Sequence, residues 1–205
     1  SMRAYDTILK RILDNSLPAG EFIDRRTIAA ELGISVAPVL EALLMLERDG
    51  LLETLPRKGT RVTVIRREDI SGHLFVREAL ECHIASQICG HLVTQALPEL
   101  LTLAQAVDAA AAQSLAYIRA DIAFHSALAA LIRNEFLMKE YARVARLGLF
   151  YRINRFVSSD DAGERKSHRK LLAELEKDDP DNACRCMHDH IISGKGDLIF
   201  SRVYK

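Results

Sequence analysis

The sequence predicts a mainly α chain in two parts: an N-terminal segment of short helices closed by a β-hairpin, and a C-terminal antiparallel all-α helical bundle. Two changes of hydrophobic period predict it. Between Thr27 and Val64, two short helical patterns meet at Gly33-Ile34-Ser35 and then give way to a period of two. From Arg67 onward the period is helical throughout. The boundary is therefore expected at Arg66, dividing the chain into 1–66 and 67–205.

The first helical pattern spans Ala4 to Asn15, with Tyr5, Ile8, Leu9 and Ile12 on one face, and Leu17-Pro18-Ala19-Gly20 breaks it. Asp24 or Arg26 opens a short second helix that ends at Gly33. In the third, Val39, Ala42, Leu43 and Leu46 fall at i, i+3, i+4 and i+7, which is one buried face. Ser35 is placed to cap this helix and Pro38 suits its first turn, where a missing N–H costs little. Gly50 ends it, and Leu51–Thr54 and Arg61–Ile65 read as strands around Pro56-Arg57-Lys58-Gly59. Helix, short turn, helix and a small β-hairpin wing make an N-terminal winged helix-turn-helix, a shape that lays its second helix of the pair in a DNA major groove. Beyond it, helices are expected near 68–93, 98–112, 115–132, 135–157, 164–177 and 181–203, with short connections that suit an antiparallel bundle.

Composition narrows the function classes. Hydrophobic residues make up 49% of the 205, ample for a core, and no apolar run approaches the roughly 20 residues of a membrane span. The first residues lack the apolar core of a secretory leader, and the four cysteines form no CxxC pair, so a reducing cytoplasm is expected. The 28 basic residues balance 28 acidic ones, which excludes a general polycationic coat. Positive charge is local instead, at Arg57, Lys58, Arg61, Arg66 and Arg67.

Four polar residues fall on faces that should be buried. Leu115, Ile118, Ile122, His125, Ala129 and Ile132 form a stripe, and Asp121 lies one turn before His125. His168 shares a face with Leu171, Leu172 and Leu175, and His190 with Ala183, Met187 and Gly194. A single inward histidine is ordinarily a hydrogen-bonded core residue. Three of them with a carboxylate suit a divalent ion, with Zn first and Ni, Mn and Fe as alternatives. His188 should face away, and His73, His83 and His91 share no pattern. Arg77 lies on the core stripe of its helix and has two readings: an internal ion pair with Glu81, or a fork for a ligand carboxylate.

Leu17-Pro18-Ala19-Gly20-Glu21, Ala29 to Ser35, Pro38-Val39, Glu41-Ala42-Leu43, Leu46-Glu47, Asp49-Gly50-Leu51 and Gly59-Thr60-Arg61-Val62 together resemble the GntR family of bacterial transcription regulators, over the first third of the chain. The family usually carries DNA-touching arginines where this chain has Val36 and Leu40. The region from Ile70 onward resembles the helical FCD effector domain of the FadR-like branch, on Val76-Arg77-Glu78-Ala79-Leu80-Glu81, Asp121, Phe124-His125, His168, Met187 and His190. This resemblance implies that Asp121, His125, His168 and His190 hold a divalent metal, that a small organic acid docks beside it, and that the helical part supplies a dimer contact.

The expected function is a bacterial DNA-binding transcriptional regulator, a repressor and not an enzyme, that answers a small carboxylic acid. The expected partners are a double-stranded operator and a second copy of the chain, with no membrane. Ser35, Val36, Ala37 and Leu40 at the helix start, with Arg48, Arg57, Lys58 and Arg61, are the candidate DNA-facing residues. With Val36 and Leu40 lacking donors, hydrogen-bonded reading shifts elsewhere, while Leu40 can still meet a thymine methyl. The rivals are a helical metalloenzyme that activates water, and an interaction module that kept the wing with weakened DNA binding.

Overall fold

The computed structural model describes residues 1–111, 114–153 and 167–193. The chain divides into two compact units, one containing Ser1–Arg66 and the other containing Arg67–Leu149.

The first unit holds α1 (Met2–Leu13), α2 (Arg25–Leu32), α3 (Val36–Arg48), β1 (Leu52–Leu55) and β2 (Gly59–Val62). Helix α1 buries Ala4, Tyr5, Ile8 and Ile12, and the Tyr5 hydroxyl donates to Asp49 Oδ2 at 2.6 Å. Asp24 starts α2 by accepting from the Arg26 and Thr27 N–H groups. Gly33 stops it at φ 65°, a left-handed position that tightens the turn into α3. Helix α3 buries Val39, Ala42, Leu43 and Leu46, the expected face. Ser35 occupies the N-cap position, but its hydroxyl makes no cap hydrogen bond.

The strands differ from the expected Leu51–Thr54 and Arg61–Ile65. The hairpin turn is tighter: Lys58 N–H reaches Leu55 O at 3.1 Å, with Arg57 at φ 64°. Pairing therefore begins at Leu55↔Gly59 and runs to Leu52↔Val62. The other edge of β2 is also used. Val62 N–H donates to Glu21 O, while Gly20 and Ile23 N–H groups donate to Val62 and Thr60 O, each at 2.9 Å. Phe22 and Arg61 form an isolated bridge. The wing thus carries a third short segment that Pro18 and Gly20 disguise as a plain break.

The second unit holds α4 (Arg67–Ile88), α5 (His91–Gln95), α6 (Leu97–Ala109), α7 (Leu115–Ala130), α8 (Glu135–Ile153) as far as Leu149, α9 (His168–Leu175) and α10 (Pro180–Ile192). The single helix expected over 68–93 is two, broken at Gly90. That residue sits at φ 77°, donates its N–H to Leu175 O at 2.9 Å, and a Cβ there would lie a tight 3.1 Å from the Asp178 side chain. Helix α7 ends at Ala130, so Ile132 lies beyond it. Its fully buried positions include Phe124 and Leu128, whereas Ile122 is only partly buried. The core gathers Ile84, Ile88, Leu100, Val107, Leu172 and Met187, among others. Helix α4 packs on α10 and α7, and α6 packs on α7 and α9. The end of α6 meets the start of α9 at Asp108 and His168, and the start of α9 meets the later part of α10 at His190, so these neighbours are antiparallel. The expected helical stretches 154–157, 164–166 and 194–203 lie outside the described residues, as does 112.

Candidate functional site

Asp121 and His125 stand one turn apart on α7, His168 is the first residue of α9, and His190 is near the end of α10. One ligand atom from each lies within 4.8 Å of the other three. His168 Nε2 is 3.0 Å from Asp121 Oδ1 and 3.2 Å from His190 Nε2, and His125 Nε2 is 3.7 Å from Asp121 Oδ1. Ligands about 2.1 Å from one metal sit roughly 3.0 Å apart at adjacent octahedral corners and roughly 3.4 Å apart at tetrahedral ones, so these separations fit a shared ion. Asp121, His125 and His168 are buried, and His190 is partly buried. His125 Nε2 is shielded from solvent and has no hydrogen-bond partner among the described residues. An orphaned buried nitrogen beside a carboxylate and two further imidazoles is what a missing cation would satisfy.

The electrostatics keep the rings available as ligands. Burial pushes His125 down despite Glu81. Burial, then the neighbouring His125 and His168, bring His190 down to about 2. Both imidazoles are therefore neutral near pH 7, the form that donates a lone pair. Phe124 walls the site, its ring edge-on to His125 and His168 at centroid distances of 5.3 and 5.2 Å.

Two carboxylates outside the expected set orient it. Asp108, on α6, accepts from the backbone N–H of His168 at 2.8 Å and faces its Nδ1 at 3.2 Å. Its other oxygen accepts from the Ser167 hydroxyl at 2.5 Å, so it fixes both the start of α9 and the ring that opens it. Burial alone would raise Asp108, but these hydrogen bonds, Ser167 first, hold it below its usual value. Glu81, on α4, faces His125 Nδ1 at 2.8 Å through Oε2, while Oε1 accepts from Arg77 Nε at 2.7 Å and from the Tyr141 hydroxyl at 2.8 Å. Burial would raise Glu81 as well; the Arg77 guanidinium and then His125 overcome it and keep the carboxylate ionised. A carboxylate behind the far nitrogen of a histidine ligand fixes its tautomer and ring angle. Periodicity in the sequence marks Glu81 only as a partner for Arg77. Asp108 and Tyr141 carried no signal, because their roles arise between helices distant in sequence.

Arg77 is buried with its Nε committed to Glu81, the ion-pair geometry; its Nη2 stands 3.6 Å from Asp121 Oδ2. His188 turns away from the cluster to Glu78, at 2.8 Å. His73 bonds Val144 O at 2.8 Å, and His83 and His91 are exposed. In the first unit Ser35, Ala37, Leu40, Arg48, Arg57 and Lys58 are exposed, and Val36 and Arg61 are partly buried. Arg61 Nε pairs with Glu53 Oε1 across the hairpin at 2.9 Å. The four cysteines are free thiols, with burial and then Cys184 pushing Cys82 up to about 12.

A winged helix-turn-helix followed by a helical bundle is the architecture of a DNA-binding transcriptional regulator. Comparison with known proteins agrees. The model for bacterial regulatory proteins of the gntR family matches residues 1–62, and the FCD domain model matches 73–193. The chain belongs to the GntR family of bacterial regulatory proteins and carries an FCD domain; the family's members are transcriptional regulators, not enzymes. It is 28% identical over 190 residues to the "Probable D-xylose utilization operon transcriptional repressor" of Paenarthrobacter nicotinovorans, covering 91% of this chain and 83% of that one. It is 25% identical over 181 residues to the HTH-type transcriptional regulator YdhC of Bacillus subtilis, covering 86% and 80%. Among solved structures, a GntR chain from Rhodococcus sp. RHA1 superposes with a TM-score of 0.73 at 21% identity, covering 98% of both chains. McbR/YncC of E. coli superposes with a TM-score of 0.65 at 20% identity, covering 96% and 95%. At these identities the two structures speak for the fold alone. Among the described residues, no single helix is long and apolar enough to cross a membrane.

Proposed function

We propose that this regulator is a cytoplasmic homodimeric repressor whose residues 1–66 bind an operator and whose residues 67–205 bind a divalent metal, Zn first, together with a small carboxylic acid that changes operator affinity. The observation that carries the metal reading is the convergence of Asp121, His125, His168 and His190 around an unpartnered His125 Nε2. These four would hold the ion, and a bound ion supplies open positions that accept carboxylate oxygens. Repression is supported by the name of the Paenarthrobacter relative. Dimerisation follows from the way such heads read two half-sites about one helical turn apart.

Arg77 would take the acid. Its Nε is occupied by Glu81, while Nη2 stands 3.6 Å from Asp121 Oδ2, so the guanidinium edge lies beside the candidate metal ligands, where an acid's carboxylate would meet both. Arg77→Met should lower the stability of the helical unit, because it breaks the buried Glu81 pair from one side, but leave the chain folded and able to bind DNA while abolishing the response to carboxylic acids, read as operator affinity against an acid panel. If Arg77→Met unfolds the helical unit, Arg77 is a structural ion-pair partner and the acid binds elsewhere.

On the DNA side, Ser35, Val36, Ala37, Leu40, Arg48, Arg57, Lys58 and Arg61 would face the duplex. Arg57 and Lys58 sit at the hairpin tip without an ion pair among the described residues, which suits phosphate contacts. The double substitution Arg57→Ala with Lys58→Ala should weaken binding to all sequences and lower the slope of log affinity against log salt by about 2. Arg61 is held by Glu53, so its loss should matter less. An unchanged slope in the double variant removes the wing from the interface.

A further inference from the structure

The inward face of α3 consists of Val39, Ala42, Leu43 and Leu46, and the outward face reads Ala37, Leu40, Glu41, Leu44, Arg48. Leu40 is 38% exposed and Leu44 is 56% exposed. They are four residues apart, so they stack on one surface. No packing requirement places two leucines there, since the outer face of such a helix is ordinarily polar. Through its first two turns, Val36 to Leu43, the helix carries one side chain able to hydrogen-bond, Glu41.

We infer that this helix reads DNA through thymine methyl groups, with Leu40 and Leu44 as the specificity-determining side chains; the inference rests on the DNA-binding reading above. Of the groups that base pairs present in the major groove, the thymine C5-methyl is the apolar one, and leucine has neither donor nor acceptor for the rest. Charge identifies the occupant. Arg48 continues the stripe one turn beyond Leu44, and the hairpin that carries Arg57 and Lys58 is tied to α3 by the Thr54 N–H donating to Glu47 Oε1 at 2.9 Å. Arg48, Arg57 and Lys58 form no ion pair among the described residues, whereas Arg11 and Arg61 are paired to Glu31 and Glu53. An apolar stripe with unneutralised cations beside it matches a polyanion that displays methyl groups between its phosphates.

The test uses the full chain and duplexes that it selects from a randomised pool. Each thymine of the selected sequence is then replaced singly by deoxyuridine, which removes the methyl and keeps the base pair. Affinity should fall about 4-fold for each contacted methyl, as expected for one buried carbon unit, at clustered positions in each half-site. Leu40→Ala and Leu44→Ala should each abolish the thymine–deoxyuridine difference at their own positions and leave the salt slope unchanged. Both side chains are exposed, and Leu44→Gln, which keeps length without a branched apolar end, should behave like Leu44→Ala. Equal binding of thymine and deoxyuridine duplexes overturns the inference, as does discrimination that survives both alanine variants, or retained DNA without a preferred sequence. If no DNA is retained at any salt, the DNA-binding reading beneath it falls.

Discussion

His168→Ala should strip the metal from the helical unit while the winged unit keeps its fold. His168 is the hub of the cluster, 3.0 Å from Asp121 and 3.2 Å from His190 through the same nitrogen, so no neighbouring group replaces it. Its backbone N–H bond to Asp108 survives the substitution, which keeps α9 started. The wild-type chain should bind about one divalent ion. Linkage sets the size of the effect: an ion present at about 1,000 times its dissociation constant stabilises by roughly 4 kcal/mol. In a unit of this size that corresponds to roughly 10–20 °C in the melting temperature. Chelator should lower the melting of the wild type by that amount, and Zn²⁺ or Ni²⁺ should restore it. His168→Ala should melt below the chelated temperature, because it also removes a buried ring and the hydrogen-bond partner of Asp121, and should ignore both treatments. Elemental analysis that finds one ion per chain in the variant contradicts the assignment. The loss on chelation comes from linkage rather than from an abandoned carboxylate, because Asp121 still faces His168 and, at 3.6 Å, Arg77.

Glu81→Ala is the second large effect. One carboxylate faces Arg77 Nε, the Tyr141 hydroxyl and His125 Nδ1, and all four side chains are buried. Removing it leaves a guanidinium in the core with Asp121 as its nearest acid, beyond hydrogen-bond reach. Breaking a buried pair from one side costs about 3–5 kcal/mol. Denaturant melts of the helical unit should show a loss of that size for Glu81→Ala and a smaller one for Glu81→Gln, which keeps shape and one acceptor. A change under about 0.5 kcal/mol, the range of an ordinary surface substitution, shows that the network contributes nothing to stability.

The two substitutions probe features of unequal legibility. The face of α3 could be read from spacing alone because it depends on neighbours within one helix. The four candidate ligands could also be read, since each sits in an apolar stripe that betrays its direction. Their meeting point could not: it depends on how α7, α9 and α10 pack. Asp108 and Tyr141 were invisible for the same reason. Asp108 lies near the end of α6 and acts 60 residues away, and Tyr141 reaches Glu81 across the same separation. The break at Gly90 was hidden by apolar residues on both sides that keep the helical period. The third segment of the wing was hidden because Glu21 to Ile23 is too short to show a period of its own. Ile118, His125 and Ala129 of the stripe are buried, but Phe124 and Leu128 share that face and leave Ile122 at its margin, while Ile132 lies past the end of the helix.

The central claim is that metal, acid and operator are linked in one chain. Its most direct measurement is fluorescence anisotropy of a selected duplex, titrated with metal-loaded and metal-stripped protein in the presence of a panel of small carboxylic acids. Loaded wild-type protein should change its DNA affinity by about 5- to 150-fold with at least one acid, the usual range of allosteric coupling. Stripped protein and His168→Ala should bind DNA without responding to that acid. Stripped protein, shown by elemental analysis to be metal-free, that responds as strongly as the loaded form would contradict the account.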